Sequence, residues 1–282
     1  MTPDTAPGNT SSMPVLRVRG LNKSYARKSL IRKSARIAAA SEISFELHAG
    51  QTLGLIGRSG SGKSTIARCV TRIETPDTGE IWLDGVNIAS LSGQSLREAR
   101  TKIQMVFQDP TTSMNPRFSA CEVVEEPLLL GEALDRAERR ARVQQLMQGV
   151  GLSPDWIDRP AMDFSGGQRQ RLAIARAIAA NPRVLVLDEA LTGLDLSTEA
   201  QIANLLLDLQ AARSLAFLLI SHDLELVGSL ADSIAFMRDG RIVEQGPTEQ
   251  VLTQPAQAET RALLAATREA QTDLALALGV TS

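Results

Sequence analysis

Apolar residues along the chain follow two rhythms. Short β-branched runs at residues 15–19, 43–47 and 80–83 predict strands, and Asp84-Gly85 supplies a turn after the third. Residues 52–56 are an apolar run that ends in a glycine-rich stretch, as a parallel strand buried on both faces would. Helical spacing follows from 63 to about 73, then a strand at 102–107. Residues 122–130 and 135–150 predict helices, the second carrying charges on one face and Val143, Leu146, Met147 and Val150 on the other. Residues 113–160 therefore form a mostly helical insertion. Alternation resumes with helices at 168–180 and 197–211 and strands at 184–187 and 215–220. Two last strands, 234–237 and 241–244, flank Asp239-Gly240 as a hairpin. Strands alternating with helices imply an α/β fold with a largely parallel sheet covered on both faces. Beyond Gly246 the composition is helical, with apolar stretches at 262–266 and 274–278.

Composition narrows the class. A chain of 282 residues suits one large α/β unit with a subdomain, and 43% hydrophobic residues suffice for its core. A net charge of −2 gives no global attraction to nucleic acid or anionic lipid. Cys69 and Cys121 are isolated, which argues against a disulfide framework or a cysteine-bound metal and fits a reduced, cytosolic compartment. Residues 1–13, rich in Thr, Pro and Ser, predict a disordered start without signal-peptide character. No apolar run approaches the ~18–20 residues that span a bilayer, so a membrane role would come through a partner. Arg27, Lys28, Arg32, Lys33 and Arg36 form a basic stretch, either a solvated hairpin or a lip near nucleotide or lipid headgroups.

Three separated segments carry phosphate chemistry. Gly57-Arg58-Ser59-Gly60-Ser61-Gly62-Lys63-Ser64, followed by Thr65, fits a phosphate-binding loop between strand and helix. Its glycines let backbone N–H groups converge on phosphate oxygens, and the helix adds its positive end. Lys63 then reaches the β- and γ-phosphates and Ser64 ligates Mg²⁺. Asp188 ends an apolar strand, where its carboxylate holds the same ion, and Glu189 is placed to polarise an attacking water. Ser165-Gly166-Gly167-Gln168 opens a helix, as a simple cap or as a second anion-facing segment. A single-site ATPase has no use for that third segment, whereas a dimer sandwiching nucleotide does.

With these motifs the chain resembles an ATP-binding cassette subunit over residues 16–246. The resemblance implies a P-loop NTPase cassette with a mostly parallel core sheet, an N-terminal antiparallel β-subdomain and the inserted helical subdomain. It divides the chain into an ATPase domain at 14–246, with the helical part at about 113–160, and a C-terminal helical extension at 247–282. It also implies ATP and Mg²⁺ as ligands, Ser165 on the γ-phosphate of the opposite subunit, and Asp195 in the segment communicating across the dimer. Gln108 resembles the glutamine that senses Mg²⁺ and the lytic water. His222, in Ser221-His222-Asp223, resembles the histidine bonding the γ-phosphate, and Tyr25 the aromatic stacking on adenine. Phe164 replaces the family's leucine before the serine, Ala190 its proline after Glu189, and Thr192-Gly193 its Ser-Ala.

Residues 103–110, Ser113-Met114-Asn115-Pro116-Arg117, Gly246-Pro247-Thr248 and Thr260-Arg261-Ala262-Leu263-Leu264 resemble the peptide and nickel import branch, and Gly57-Arg58-Ser59-Gly60, Asp188-Glu189-Ala190 and Leu194-Asp195-Leu196 lean to the second ATPase of nickel importers. Gln257-Ala258-Glu259 departs from that branch's His-Pro-Tyr. The branch implies a second, identical or different, ATPase subunit, two membrane permeases, an external binding protein, and a peripheral position on the cytoplasmic face of the membrane. Residues 114–118 are either the neighbourhood of the permease contact or a plain exposed loop. Cassettes that serve DNA repair or ribosomes are the alternative, but they carry long coiled coils, zinc modules or paired cassettes. None of these is in this sequence, and no nucleic-acid partner is expected.

Overall fold

A computed structural model of the chain describes residues 13–26, 36–131 and 134–265. The expected disordered start, the basic stretch up to residue 35 and the apolar segment 274–278 lie outside the described residues. The strands are β1 (Leu16–Ala26), β2 (Arg36–Leu47), β3 (Thr52–Gly57), β4 (Thr78–Leu83), β5 (Val86–Asn87), β6 (Ile103–Phe107), β7 (Val184–Asp188), β8 (Ala216–Ser221), β9 (Ser233–Arg238) and β10 (Arg241–Pro247). The helices are α1 (Lys63–Val70), α2 (Gly93–Thr101), α3 (Pro110–Ser113), α4 (Ala120–Glu125), α5 (Leu128–Gly131), α6 (Arg136–Gly149), α7 (Gly166–Ala179), α8 (Leu196–Arg213), α9 (Leu224–Leu230) and α10 (Thr248–Thr253).

Two sheets result. One is antiparallel, in the order β2-β1-β4-β5, and the other runs β10-β9-β3-β8-β7-β6. In the second, β6, β7, β8, β3 and β9 are parallel and β10 closes an antiparallel edge. Strands β3, β7 and β8 are buried at every residue, so they read as continuous apolar runs rather than alternating ones. Their side chains still point alternately to opposite faces. Leu185, Leu187, Phe217 and Leu219 enter one core with α4, α6, α7 and α8. Val184, Val186, Leu218 and Ile220 enter the other, with α1 and the antiparallel sheet.

Several boundaries move for identifiable reasons. Helix α1 stops at Val70 instead of running to 73, because Arg72 turns left-handed (φ 57) and its guanidinium bonds the Ile88 carbonyl at 2.8 Å. The helix expected at 122–130 is two helices, α4 and α5, separated around Pro127, which cannot donate an intrahelical bond. Helix α4 begins earlier, at Ala120, because Ser119 and Glu122 form a reciprocal capping box. Helices α2 and α9 are additional to the expectation. Helix α2 has no fully buried residue, so it offers little apolar periodicity to read.

Candidate active site

The parallel sheet places the C-terminal ends of β3, β8, β7 and β6 side by side, the edge where open α/β sheets bind ligands. Strand β3 runs into the glycine loop. Two of its glycines are required: a Cβ on Gly57 would collide with the Met237 carbonyl, and one on Gly62 (φ 105) with the Ala39 carbonyl. Lys63, buried at the start of α1, turns its Nζ back onto the loop and donates to the Gly57 and Arg58 carbonyls at 2.6 and 3.1 Å. Burial lowers its pKa, while Glu189 and Asp188 nearby favour the charged form.

Strand β7 delivers the carboxylates. Ser64 Oγ donates to Asp188 Oδ1 at 3.0 Å, joining α1 to β7 across the sheet edge. Burial pushes the Asp188 carboxyl up, and the Ser64 bond opposes that. A paired hydroxyl and carboxylate, all hard oxygen, fits Mg²⁺, which takes one or two protein carboxylates and completes its shell with water and phosphate. Among the described residues no group of three or more His, Cys, Asp or Glu is disposed to hold a metal by itself.

Glu189 follows in a left-handed turn (φ 51), its N–H held by the Ile220 carbonyl at 2.9 Å and its own carbonyl by Thr192 N–H at 3.1 Å. Ala190 and Leu191 are buried, so packing closes this turn where the family has proline. Glu189 Oε1 lies 3.6 Å from His222 Nδ1, at the end of the neighbouring strand β8. Gln108 is exposed just beyond Phe107, which pairs with Asp188, so it stands at the adjacent strand end. Tyr25, at the end of β1, directs its hydroxyl to Glu74 and lies 3.4 Å from the Thr65 hydroxyl on α1.

The remaining residues assemble elsewhere. Ser165 caps α7, its hydroxyl accepting from Gln168 N–H at 3.3 Å while the Gln168 side chain accepts from Ser165 N–H at 3.0 Å. Asp195 caps α8 through the Thr198 amide and hydroxyl, at 2.9 and 2.7 Å. A Cβ on Gly167 would strike the Thr198 methyl, so the two helix starts form one surface. Among the described residues no hydrogen bond or ion pair joins that surface to the glycine loop. Phe164, the family's leucine position, is buried edge-on against Trp156 with ring centroids 6.0 Å apart.

Two features escaped the sequence. Glu74 is one, since a lone glutamate after a helix gives no signal. The other is a cleft of about 550 Å³ between β6 and the helical insertion, lined by Arg100, Met105, Phe107, Leu130, Arg176 and Ala177 among others. Its signal was Leu128-Leu129-Leu130 after Pro127, where Leu130 is 79% exposed. Within residues 114–118, Asn115, Pro116 and Arg117 are exposed. Met114 is buried and Phe118 packs partly against the same core. Among the described residues no helix is long and apolar enough to cross a membrane.

The ABC transporter family model matches residues 40–192. The dipeptide transport ATP-binding protein DppF of Haemophilus influenzae is 43% identical over 90% of this chain and 78% of its own length. The di/tripeptide transport ATP-binding protein DppF of Pseudomonas aeruginosa is 44% identical over 90% of this chain and 79% of its length. A dimeric ATP-binding cassette in a post-hydrolysis state, bound to ADP and Pi, superposes with a TM-score of 0.74 at 27% identity, covering 83% of this chain and 98% of that one. Nickel does not figure in these names.

Proposed function

The chain belongs to the ATP-binding cassette family of transporter ATPases, and from that premise we propose that it is the ATP-hydrolysing subunit of a peptide importer. One observation carries the hydrolytic part: Lys63, Ser64, Asp188, Glu189 and His222 converge on one sheet edge, tied by the Ser64–Asp188 bond and the Glu189–His222 approach. In this reading Lys63 leaves the loop carbonyls and reaches the β- and γ-phosphates. The backbone amides of Arg58, Ser59, Gly60, Ser61 and Gly62 cradle the phosphates, and Thr65 lies beside them on α1. Ser64, Asp188 and Gln108 are the Mg²⁺-side residues; bound Mg²⁺ supplies charge neutralisation on the β- and γ-oxygens.

Glu189 accepts the proton of the attacking water, which displaces ADP from the γ-phosphorus as inorganic phosphate forms. His222 presents Nδ1 to Glu189, leaving Nε2 to donate to a γ-phosphate oxygen. Tyr25 takes the base. Ser165, Gly166, Gly167, Gln168 and Asp195 complete a site on a second subunit, like or unlike this one. The dimeric assembly of a structural relative supports that reading, as does the absence of a hydrogen bond from them to this chain's own glycine loop among the described residues. ATP then clamps two subunits together, and hydrolysis releases them.

The cleft beside Gln108 is the proposed seat for a permease element, because it lies where the helical insertion meets the sheet edge and is walled by exposed leucine and apolar β6 side chains. Two permeases and an external binding protein complete the assembly, with this subunit peripheral on the cytoplasmic side. The names of the relatives favour peptide over nickel as cargo. Radiolabelled dipeptide and nickel uptake, each measured after deletion and after complementation with wild type or Glu189→Gln, test this. Peptide uptake that depends on an intact Glu189 supports the proposal. Uptake of nickel alone, or recovery of the chain with ribosomes or DNA instead of permeases, contradicts it.

A further inference from the structure

Tyr25 is held at both ends, and Glu74 is the outer hold. Tyr25 is 39% exposed at the tip of β1, where an untethered tyrosine would sample several rotamers. Its hydroxyl donates to Glu74 Oε2 and lies 3.4 Å from the Thr65 hydroxyl. Glu74 is itself fixed to α1: its N–H bonds the Arg68 carbonyl at 3.0 Å, and its carboxylate faces the Arg68 guanidinium at 3.5 Å. The strand tip is stitched to the same segment by Lys23 Nζ on the Thr75 carbonyl (2.8 Å) and by the Ser24 amide and hydroxyl on Asp77 (2.9 and 2.7 Å). The Lys23 ammonium sits 5.6 Å from the ring centroid, which leaves the other ring face for a ligand.

We infer that Glu74 is a positioning residue for nucleotide binding: by bonding the Tyr25 hydroxyl it fixes the ring in register with the helix that carries Lys63, Ser64 and Thr65, so that base and phosphates are gripped by one rigid unit. This rests on the reading of Tyr25 as the base-stacking group. Ordering the ring before the ligand arrives removes an entropic cost from binding, and only the base benefits.

The test is calorimetric binding of Mg-ATP and of Mg-tripolyphosphate, which lacks a base, to the full chain in a Glu189→Gln background. Glu74→Ala is expected to weaken ATP about fivefold, the effect of one lost hydrogen bond, and to leave tripolyphosphate unchanged. Glu74→Gln keeps an acceptor and holds ATP within about twofold of the parent. Tyr25→Phe reproduces the Glu74→Ala loss, and combining the two adds nothing further. Equal weakening of both ligands in Glu74→Ala would mean a general role in α1 and overturns the inference. So does unchanged ATP affinity in Glu74→Ala; if Tyr25→Ala still weakens ATP in that case, the stacking role survives alone. If Tyr25→Ala binds ATP normally, the stacking reading falls and the inference with it.

Discussion

Replacing Glu189 by Gln separates binding from chemistry. The change keeps the shape of the side chain, which is 23% exposed, and leaves its left-handed turn tied to the Ile220 carbonyl. Folding should therefore change by no more than about 0.5 kcal/mol. The amide cannot take a proton from water, and a positioned general base contributes about 10²- to 10⁴-fold, so kcat should fall by that factor. Lys63, Ser64 and Asp188 are untouched, so ATP still stabilises the fold. At 100 times Kd that stabilisation is about 2.7 kcal/mol. At roughly 2–4 °C per kcal/mol for a chain of this size, Tm should rise by roughly 5–10 °C with ATP in both proteins. Phosphate release and scanning calorimetry on the same samples read the two quantities. Hydrolysis within about threefold of wild type would refute the role of Glu189, and loss of the ATP-induced Tm rise would show that the carboxylate serves binding instead.

Other perturbations probe neighbouring parts. Asp188→Asn should raise the Mg²⁺ concentration for half-maximal ATPase by roughly 10- to 100-fold, as loss of metal partners does. Burial already disfavours the charged carboxylate there, so a melt without Mg²⁺ should show stability equal to or above wild type. Ser165→Gly should cost only a few tenths of a kcal/mol as a cap, against about 1 for Ser165→Ala, yet both should abolish ATP-dependent pairing of subunits, read by light scattering in the Glu189→Gln background. Leu130→Asp, at a 79% exposed position, should leave Tm unchanged and reduce co-purification with the permeases. Asp77 is held below its ordinary 3.8 by the Ser24 hydroxyl, then by the Ser24 amide and the nearby Lys23 and Arg36. Its contribution is therefore full above that value and lost as pH falls through the lower folded one. Asp77→Asn should flatten the acid limb of a Tm–pH profile below about pH 4 and leave the shape of the profile at neutral pH unchanged.

The sequence disclosed most where burial is two-sided. Strands β3, β7 and β8 announce themselves as unbroken apolar runs, and the chemistry follows directly from their last residues, Gly57, Asp188 and Ser221. The left-handed hairpin at Asp239-Gly240 was equally legible, because few residues adopt that backbone. Helix α2 was not, since a helix with no buried side chain has no periodic face. Pro127 gave a break in the helical insertion that hydrophobic spacing alone smoothed over. At the site, motifs reported residue types but not holds: the partners of Tyr25, and the attachment of α7 to α8 through Gly167 and Thr198, depend on contacts between segments remote in sequence. Of the two readings of Ser165, the cap is visible in this chain, its oxygen accepting from Gln168 N–H, whereas the anion-facing role belongs to the proposed assembly.

The decisive measurement is a structure of the Glu189→Gln protein trapped with Mg-ATP in its assembled transporter. The Ser165 hydroxyl should lie roughly 3 Å from a γ-phosphate oxygen whose other contacts come from the lysine loop of the facing subunit. Nucleotide enclosed wholly by one subunit, with Ser165 more than roughly 10 Å from it, three times that bonding distance, would contradict the shared site on which the account stands.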